Sequence, residues 1–283
     1  MVEIRLKVRY YQDSTPAGVP CRESAFVRRE IEMVLPVDQT AMVLVDIWNV
    51  HFIESYVERE LRVVKDFILP AVQAAREAGL PIIHAPSPEV ARLYPRAQST
   101  PPGIAPAKLN DGPDWPPEAF RRRHQPSLNG ADNLYYAYRG PRNQPPGIDA
   151  HWKELAPELA MLPTVEVKES DDVIATGAQL HHVLAERNVL HLIYAGFATN
   201  WCLLGRDYGI RRMALRGYNI VALRDCTTGV EFSDTLDNLF VTEIGVREIE
   251  QQFGFTASNV DFVSACGAVS SAATFPNTRQ SGN

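Results

Sequence analysis

Three side chains suited to bond-cleaving chemistry stand at matching places in this sequence, each at or just beyond the end of a short apolar run. Asp46 closes Ala41-Met42-Val43-Leu44-Val45, Lys168 closes Thr164-Val165-Glu166-Val167, and Cys202 comes shortly after His191-Leu192-Ile193-Tyr194-Ala195-Gly196. A carboxylate, an amine and a thiol can act as general base, electrostatic stabiliser and nucleophile when they converge on one crevice. Thr199 is placed to cap a helix that carries Cys202 in its first turn. A helix N-terminus and a neighbouring Lys cation both lower a thiol pKa, and the N–H groups of that turn can hold an oxyanion. Each residue also has a plainer reading: a packed free cysteine, a capping or Arg-paired aspartate, a solvated lysine at a strand exit. The three at successive strand ends carry more than any one alone.

The surrounding elements must bring them together. Residues 41–46 form a nearly continuous apolar run, as a strand buried on both faces requires. A helical pattern follows through Leu61, Val64, Ile68, Val72 and Ala75, with a kink or restart expected at Pro70 and an end at Gly79. Pro81-Ile82-Ile83-His84, Thr164–Lys168, His191–Gly196, Asn219–Leu223 and a segment near 258–263 read as further strands. Helices are expected through Ile174–Leu184, from Thr199 to about Arg216, and over roughly 234–252. Short buried strands alternating with amphipathic helices predict an α/β fold, a three-layer α/β/α arrangement on a central parallel sheet of about six strands. Ligands then bind beyond the carboxyl ends of the strands.

Outside this rhythm, residues 1–38 read as an amino-terminal arm in which 2–10 alternate as a peripheral, half-exposed strand and 11–38 are turn-rich. The main domain is expected over 39–264 and a small, polar tail without structure over 265–283. Within the domain, residues 93–163 hold 13 of the 21 prolines and read as an insert or lid. There Arg121-Arg122-Arg123-His124 reads as a solvated or intersubunit face, or as a grip for a carboxylate. Tyr135, Tyr136 and Tyr138 read as a pocket wall or a packed strand.

With 34 acidic residues against 28 Lys and Arg, for a formal charge of −6, the chain lacks the basic footprint that nucleic-acid binding needs. No apolar run approaches the roughly 18–20 residues of a membrane span, and no signal-peptide core is visible. The cysteines at 21, 202, 226 and 266 form no CxxC pair, so neither disulfides nor a zinc site is expected. Reduced thiols and a cytoplasmic location follow as expectations.

Asp46 with Asn49 and Phe52 after it, Lys168, Gly196-x-x-Thr199-x-x-Cys202, and then Ala214, Arg216-Gly217-Tyr218 and Arg224-Asp225-Cys226 resemble the isochorismatase-like cysteine hydrolases. That group includes nicotinamidases, N-carbamoylsarcosine amidases, and biuret and ureidoacrylate hydrolases. The likeness covers about 40–90 and 155–263. It implies a Cys-Asp-Lys triad in which Cys202 attacks a carbonyl carbon, Asp46 takes the thiol proton and returns it to the leaving amine, and Lys168 stabilises the thiolate. It also implies an oxyanion hole from the N–H groups of Ala198 and Cys202, a cis Phe197–Ala198 peptide, and a homo-oligomer, dimer or tetramer. The chain departs from that pattern at Trp48, where many members have Gln, and at Asp172-Val173-Ile174 after the lysine. His84 is followed by no second histidine, so no metal or other cofactor is expected.

Trp48, Phe52, His84 and Trp201 are the candidate pocket residues, with His84 also readable as packed behind the site. The expected activity is hydrolysis of a C–N bond in a small amide, carbamoyl or ureido molecule through a thioester. A phosphatase that needs a second acid two residues after the first is disfavoured by Trp48, and dinucleotide binding by the absence of G-x-G-x-x-G. An isochorismatase proper, which uses no thiol nucleophile, is disfavoured by Cys202. A non-catalytic oligomeric binding protein on the same fold, or an isochorismatase-type hydrolase of a non-amide substrate, stands as the alternative.

Overall fold

A computed structural model of the 283-residue chain describes residues 2–99 and 148–274. Eight strands form one mixed sheet in the order β2-β1-β8-β7-β6-β3-β4-β5. They are β1 (Glu3–Gln12), β2 (Val27–Pro36), β3 (Thr40–Val45), β4 (Ile82–Ala85), β5 (Asp172–Val173), β6 (His191–Gly196), β7 (Asn219–Leu223) and β8 (Phe255–Ala257). The six from β3 to β8 are parallel, and β1 and β2 add an antiparallel hairpin beside β8. The six parallel strands with helices on both faces match the α/β arrangement expected from the sequence, and the hairpin widens the sheet to eight strands.

Alternation along β3 sends Met42 and Leu44 to one face and Val43 and Val45 to the other, and all of them are buried. On the first face pack α2 (Leu69–Glu77) through Ala71 and Ala75, and α9 (Asn259–Thr274) through Phe262 and Cys266. On the other lie α6 (Gly177–Glu186) through Leu180 and Leu184, and α7 (Ile210–Leu215) through Met213. The remaining described helices are α1 (Glu54–Val63), α3 (Pro88–Ala91), α4 (Pro95–Ser99), α5 (Ile148–Leu155) and α8 (Phe240–Glu248). A π-helical turn over Val64–Ile68 joins α1 to α2 just before Pro70, and Gly79 follows with φ +83°. Leu61, expected on the buried face, is exposed.

Four expectations are corrected. Residues 27–36 are a strand rather than turns; β2 pairs with β1 along its whole length but lies mostly exposed, so it carries no buried-face periodicity. Thr164–Lys168 form no strand. Val165 buries its side chain, but the sheet continues instead through Asp172, which pairs with Ile83. The last strand lies at 255–257, and residues 259–274 are helix rather than strand and tail. Ser258 explains that switch: its Oγ accepts the Asp261 N–H at 3.0 Å and donates to the Asp261 carboxylate, capping a helix whose Phe262, Cys266 and Val269 face the core. Finally, Thr199 does not cap a helix. Its hydroxyl bonds that of Thr227 at 2.7 Å, and a π-helical turn spans Thr199–Leu203 after Ala198.

Within the insert, Arg121–His124, Tyr135, Tyr136 and Tyr138 lie outside the described residues. Among the described residues no helix is long and apolar enough to cross a membrane.

Candidate active site

The chain leaves β3 toward β4 on one side and returns to β6 on the other, so the crevice where strand order reverses lies between β3 and β6. Asp46 turns sharply out of β3 with φ 44°, a left-handed conformation that Asp tolerates better than most residues. Its N–H donates to Ala85 O at 3.1 Å, which ties the turn to β4. Gly196 makes the matching approach from β6. Its φ is +119°, and a Cβ there would lie 2.0 Å from the Val45 carbonyl oxygen, so only glycine lets the strand end come this close. The next residue, Phe197, donates its N–H to that same oxygen at 2.9 Å. The Phe197–Ala198 peptide is cis, and the π-helical turn then delivers Cys202 beside Asp46.

Asp46 is 2% exposed. Arg206 donates Nε–H to its Oδ2 at 2.9 Å, whereas Oδ1 is buried without a hydrogen-bond partner among the described residues. Burial holds the Asp46 carboxyl above its ordinary pKa, with the Arg206 charge and then the Cys202 thiol pulling it back. Burial, helped by the negative charge of Asp46, pushes the Cys202 thiol up to about 12; Arg206 and the Ala198 N–H directed at the sulfur act in the opposite sense. The resting proton therefore sits on sulfur. This corrects the expectation of a thiol acidified by a helix N-terminus and a lysine: the turn is short, burial disfavours the thiolate and an acid stands alongside.

Lys168 is not brought to this place. Its side chain is exposed and lines a separate cavity with Tyr94, Arg96 and Val173. The loop that carries it is held from beneath. Arg76 grips Asp171 with two bonds of 2.6 Å, His84 Nε2 lies 3.1 Å from Asp171 Oδ2, and the Lys168 N–H donates to that oxygen at 2.9 Å. His84 is thus a buried support for the loop rather than a pocket residue. The cation that faces Asp46 is Arg206, which follows Cys202 by four residues.

Asp46, Cys202, Ala198 and Phe197 line a cavity of about 130 Å³ with Trp48, Phe52 and Trp201. Four further lining residues escaped the sequence reading: His51, Tyr56, Glu60 and Trp152. His51 is the hub of an aromatic wall. Its ring stacks on Phe52 at 4.5 Å and meets Tyr56 and Trp152 edge-on at 5.1 and 5.2 Å. His51 Nδ1 accepts the Ile53 N–H at 3.1 Å, and burial lowers its pKa to about 4, so the ring is neutral. The one available signal was the aromatic spacing Trp48-x-x-His51-Phe52-x-x-x-Tyr56, which carries no chemistry until the turn after β3 folds it over the crevice. Asn49 makes that fold: its amide bonds Glu158 O at 2.7 Å and the Ala160 N–H at 2.8 Å. Among the described residues no group of three or more His, Cys, Asp or Glu is placed to hold a metal ion.

Chemically, the arrangement joins a thiol, a buried carboxyl able to take its proton, and a guanidinium that stays charged throughout. No curated protein matches the sequence significantly. The chain is similar in fold to a cysteine hydrolase from Pseudomonas syringae pv. phaseolicola 1448A, at 18% identity and a TM-score of 0.52, covering 83% of this chain and 95% of that one. Weaker likenesses extend to an isochorismatase family protein from Burkholderia thailandensis (17% identity, TM-score 0.43, 81% and 96% covered) and a nicotinamidase from Staphylococcus aureus (12%, 0.40, 76% and 96%). Residues 40–242 match the isochorismatase domain, and the chain belongs to that family of hydrolases.

Proposed function

We propose that the protein hydrolyses a C–N bond of a small amide, carbamoyl or ureido substrate through a thioester on Cys202. The observation that carries this reading is the buried Asp46 carboxyl, held by Arg206 through one oxygen, beside the Cys202 thiol in a single cavity. As sulfur attacks the carbonyl carbon, Asp46 takes the thiol proton, and the Ala198 and Cys202 N–H groups receive the negative oxygen. The carbonyl then re-forms, the C–N bond breaks, and Asp46 gives its proton to the departing amine. Water, activated by the same carboxylate, cleaves the thioester and restores the thiol. Arg206 takes the electrostatic role that the resemblance assigns to Lys168. It keeps Asp46 from becoming a permanently neutral acid in a buried site.

An ammonia-release screen over small amides, carbamates and ureas tests the proposal, with acid-quenched intact mass to catch the acyl adduct. Wild type should release ammonia and show an adduct on Cys202, and Cys202→Ala should lose about 10³-fold or more in turnover. Undiminished turnover in Cys202→Ala would overturn the thiol mechanism.

A further inference from the structure

The mechanism leaves one buried acid of the cavity without a task. Glu60 lies one helical turn beyond Tyr56 on α1, is 6% exposed, and lines the same cavity as Asp46 and Cys202. Its carboxyl is hydrogen-bonded with the Tyr56 hydroxyl. Arg59, its neighbour in sequence, makes no ion pair with it: its guanidinium donates to Ser55 O at 3.2 Å and Gly229 O at 3.1 Å and sits 5.7 Å over the Tyr56 ring, so only its longer-range charge reaches Glu60. Among the described residues Glu60 has no ion-pair partner, and the only cation facing the reaction centre, Arg206, is taken up by Asp46. A buried acid needs a partner. Here the open side of Glu60 is the cavity itself.

The walls favour the same kind of partner. Aromatic rings attract cations and N–H edges, and Trp48, Phe52, Trp152 and Trp201 line this cavity. A carboxylate bound there would face Asp46 and Glu60, while Arg206 is already held by Asp46. We infer that Glu60 is the specificity-determining residue of this cavity, selecting flat amides whose far end bears a cationic or N–H-donating nitrogen and rejecting those that bear a carboxylate. The inference deepens the proposed function and rests on its placement of the scissile bond at Cys202. Burial, opposed by the Tyr56 hydrogen bond and Arg59 and reinforced by Asp46, raises the Glu60 pKa to about 8. An incoming cation would replace that proton as the partner.

Calorimetric binding to Cys202→Ala separates recognition from turnover. The probes share one frame: 4-(aminomethyl)benzamide, benzamide and 4-carbamoylbenzoate. The cation should bind about tenfold or more tighter than benzamide and the anion weakest, a spread of about 1.4 kcal/mol per tenfold step. Adding E60Q should bring cation and neutral probe within about threefold of each other. Tyr56→Phe, which removes the hydroxyl that favours the ionised acid, should produce a smaller loss in the same direction and serves if E60Q does not fold. The inference is overturned if the anion binds best, if no probe binds, or if the cation's advantage over benzamide is undiminished in the variant that folds. Selective binding alongside undiminished hydrolysis in Cys202→Ala would sink the thiol mechanism instead and leave Glu60 in place.

Discussion

Removing the charge that faces Asp46 is the most direct probe of the site, and Arg206→Met does so while keeping most of the stem. Two unit charges about 4 Å apart at an effective dielectric of 20 attract by about 4 kcal/mol. The Arg206 side chain is 29% exposed, so solvent screening trims this to about 3 kcal/mol. In the variant Asp46 is buried alone and escapes by taking a proton, at about 1.4 kcal/mol per pH unit between the solution and its new pKa. The Asp46 pKa is already raised in the folded state, and losing Arg206 raises it further. The folded protein then binds more protons than the unfolded chain over a wider range, so stability falls as pH rises through that window. Below the unfolded carboxylate pKa the effect vanishes.

The expected cost is therefore about 2–3 kcal/mol at pH 8 and under about 1 kcal/mol at pH 4.5. Urea midpoints for wild type, Arg206→Met, Asp46→Asn and the double variant across this range would read it. In the Asp46→Asn background Arg206→Met should cost about 2 kcal/mol less than in wild type, because no buried charge is left behind. The acid limb of kcat/KM should move to higher pH in Arg206→Met, since Asp46 must be ionised to take the thiol proton. Equal destabilisation at pH 4.5 and 8, or the same cost with and without Asp46, would refute the pairing as the source of the effect.

Three other perturbations give distinct outcomes. Lys168→Ala should leave turnover within about threefold, because its exposed side chain stands outside the Cys202 cavity; a loss of about a hundredfold or more would restore the lysine to the reaction. Glu60→Gln should flatten the pH dependence of stability. With the folded pKa about 8 against the ordinary glutamate value of 4.5, the folded state holds an extra proton between those values. Wild type thus loses on the order of 5 kcal/mol as pH rises across that span, so melting curves should show the variant gaining on wild type from pH 5 to pH 9, and parallel curves would count against a buried ionisable acid. Gly196→Ala should cost about 3 kcal/mol or more, because its Cβ would fall 2.0 Å from Val45 O at a positive φ. A urea midpoint equal to wild type would mean that β6 does not approach β3 as described.

The parallel core was legible because burial on both faces leaves its mark in the chain itself. Asn219–Leu223 and His191–Gly196 fall where the apolar runs stand. The hairpin strand β2 was hidden because its outward residues alternate with little burial; what orders it is pairing across the sheet, such as Arg5 with Glu32 and Lys7 with Glu30. Asp46 and Cys202 were visible as chemistry at strand ends. Lys168 was placed at a strand end that does not form, since its loop answers to Arg76, His84 and Asp171. Glu60 and His51 were illegible for a different reason. On a helix an isolated glutamate reads as solvated, and only the turn that Asn49 secures against residues 158–160 puts α1 over the crevice.

The position of Arg206 explains how the site can work without a lysine. Arg206 donates its backbone N–H to Cys202 O at 3.0 Å while its side chain binds Asp46 Oδ2. Nucleophile and counter-charge are thereby carried on one short segment, and a single turn of chain sets both against the acid from β3. A guanidinium does not give up its proton near neutral pH, so it cannot compete with Asp46 for the proton of the thiol. It also fixes one carboxyl oxygen, Oδ2, and leaves Oδ1, which lacks a close hydrogen-bond partner among the described residues, as the place where that proton can go. In the proposed reaction only one proton then moves between sulfur, carboxyl and leaving amine, and the raised pKa values of Asp46 and Cys202 keep it on the pair until the substrate arrives.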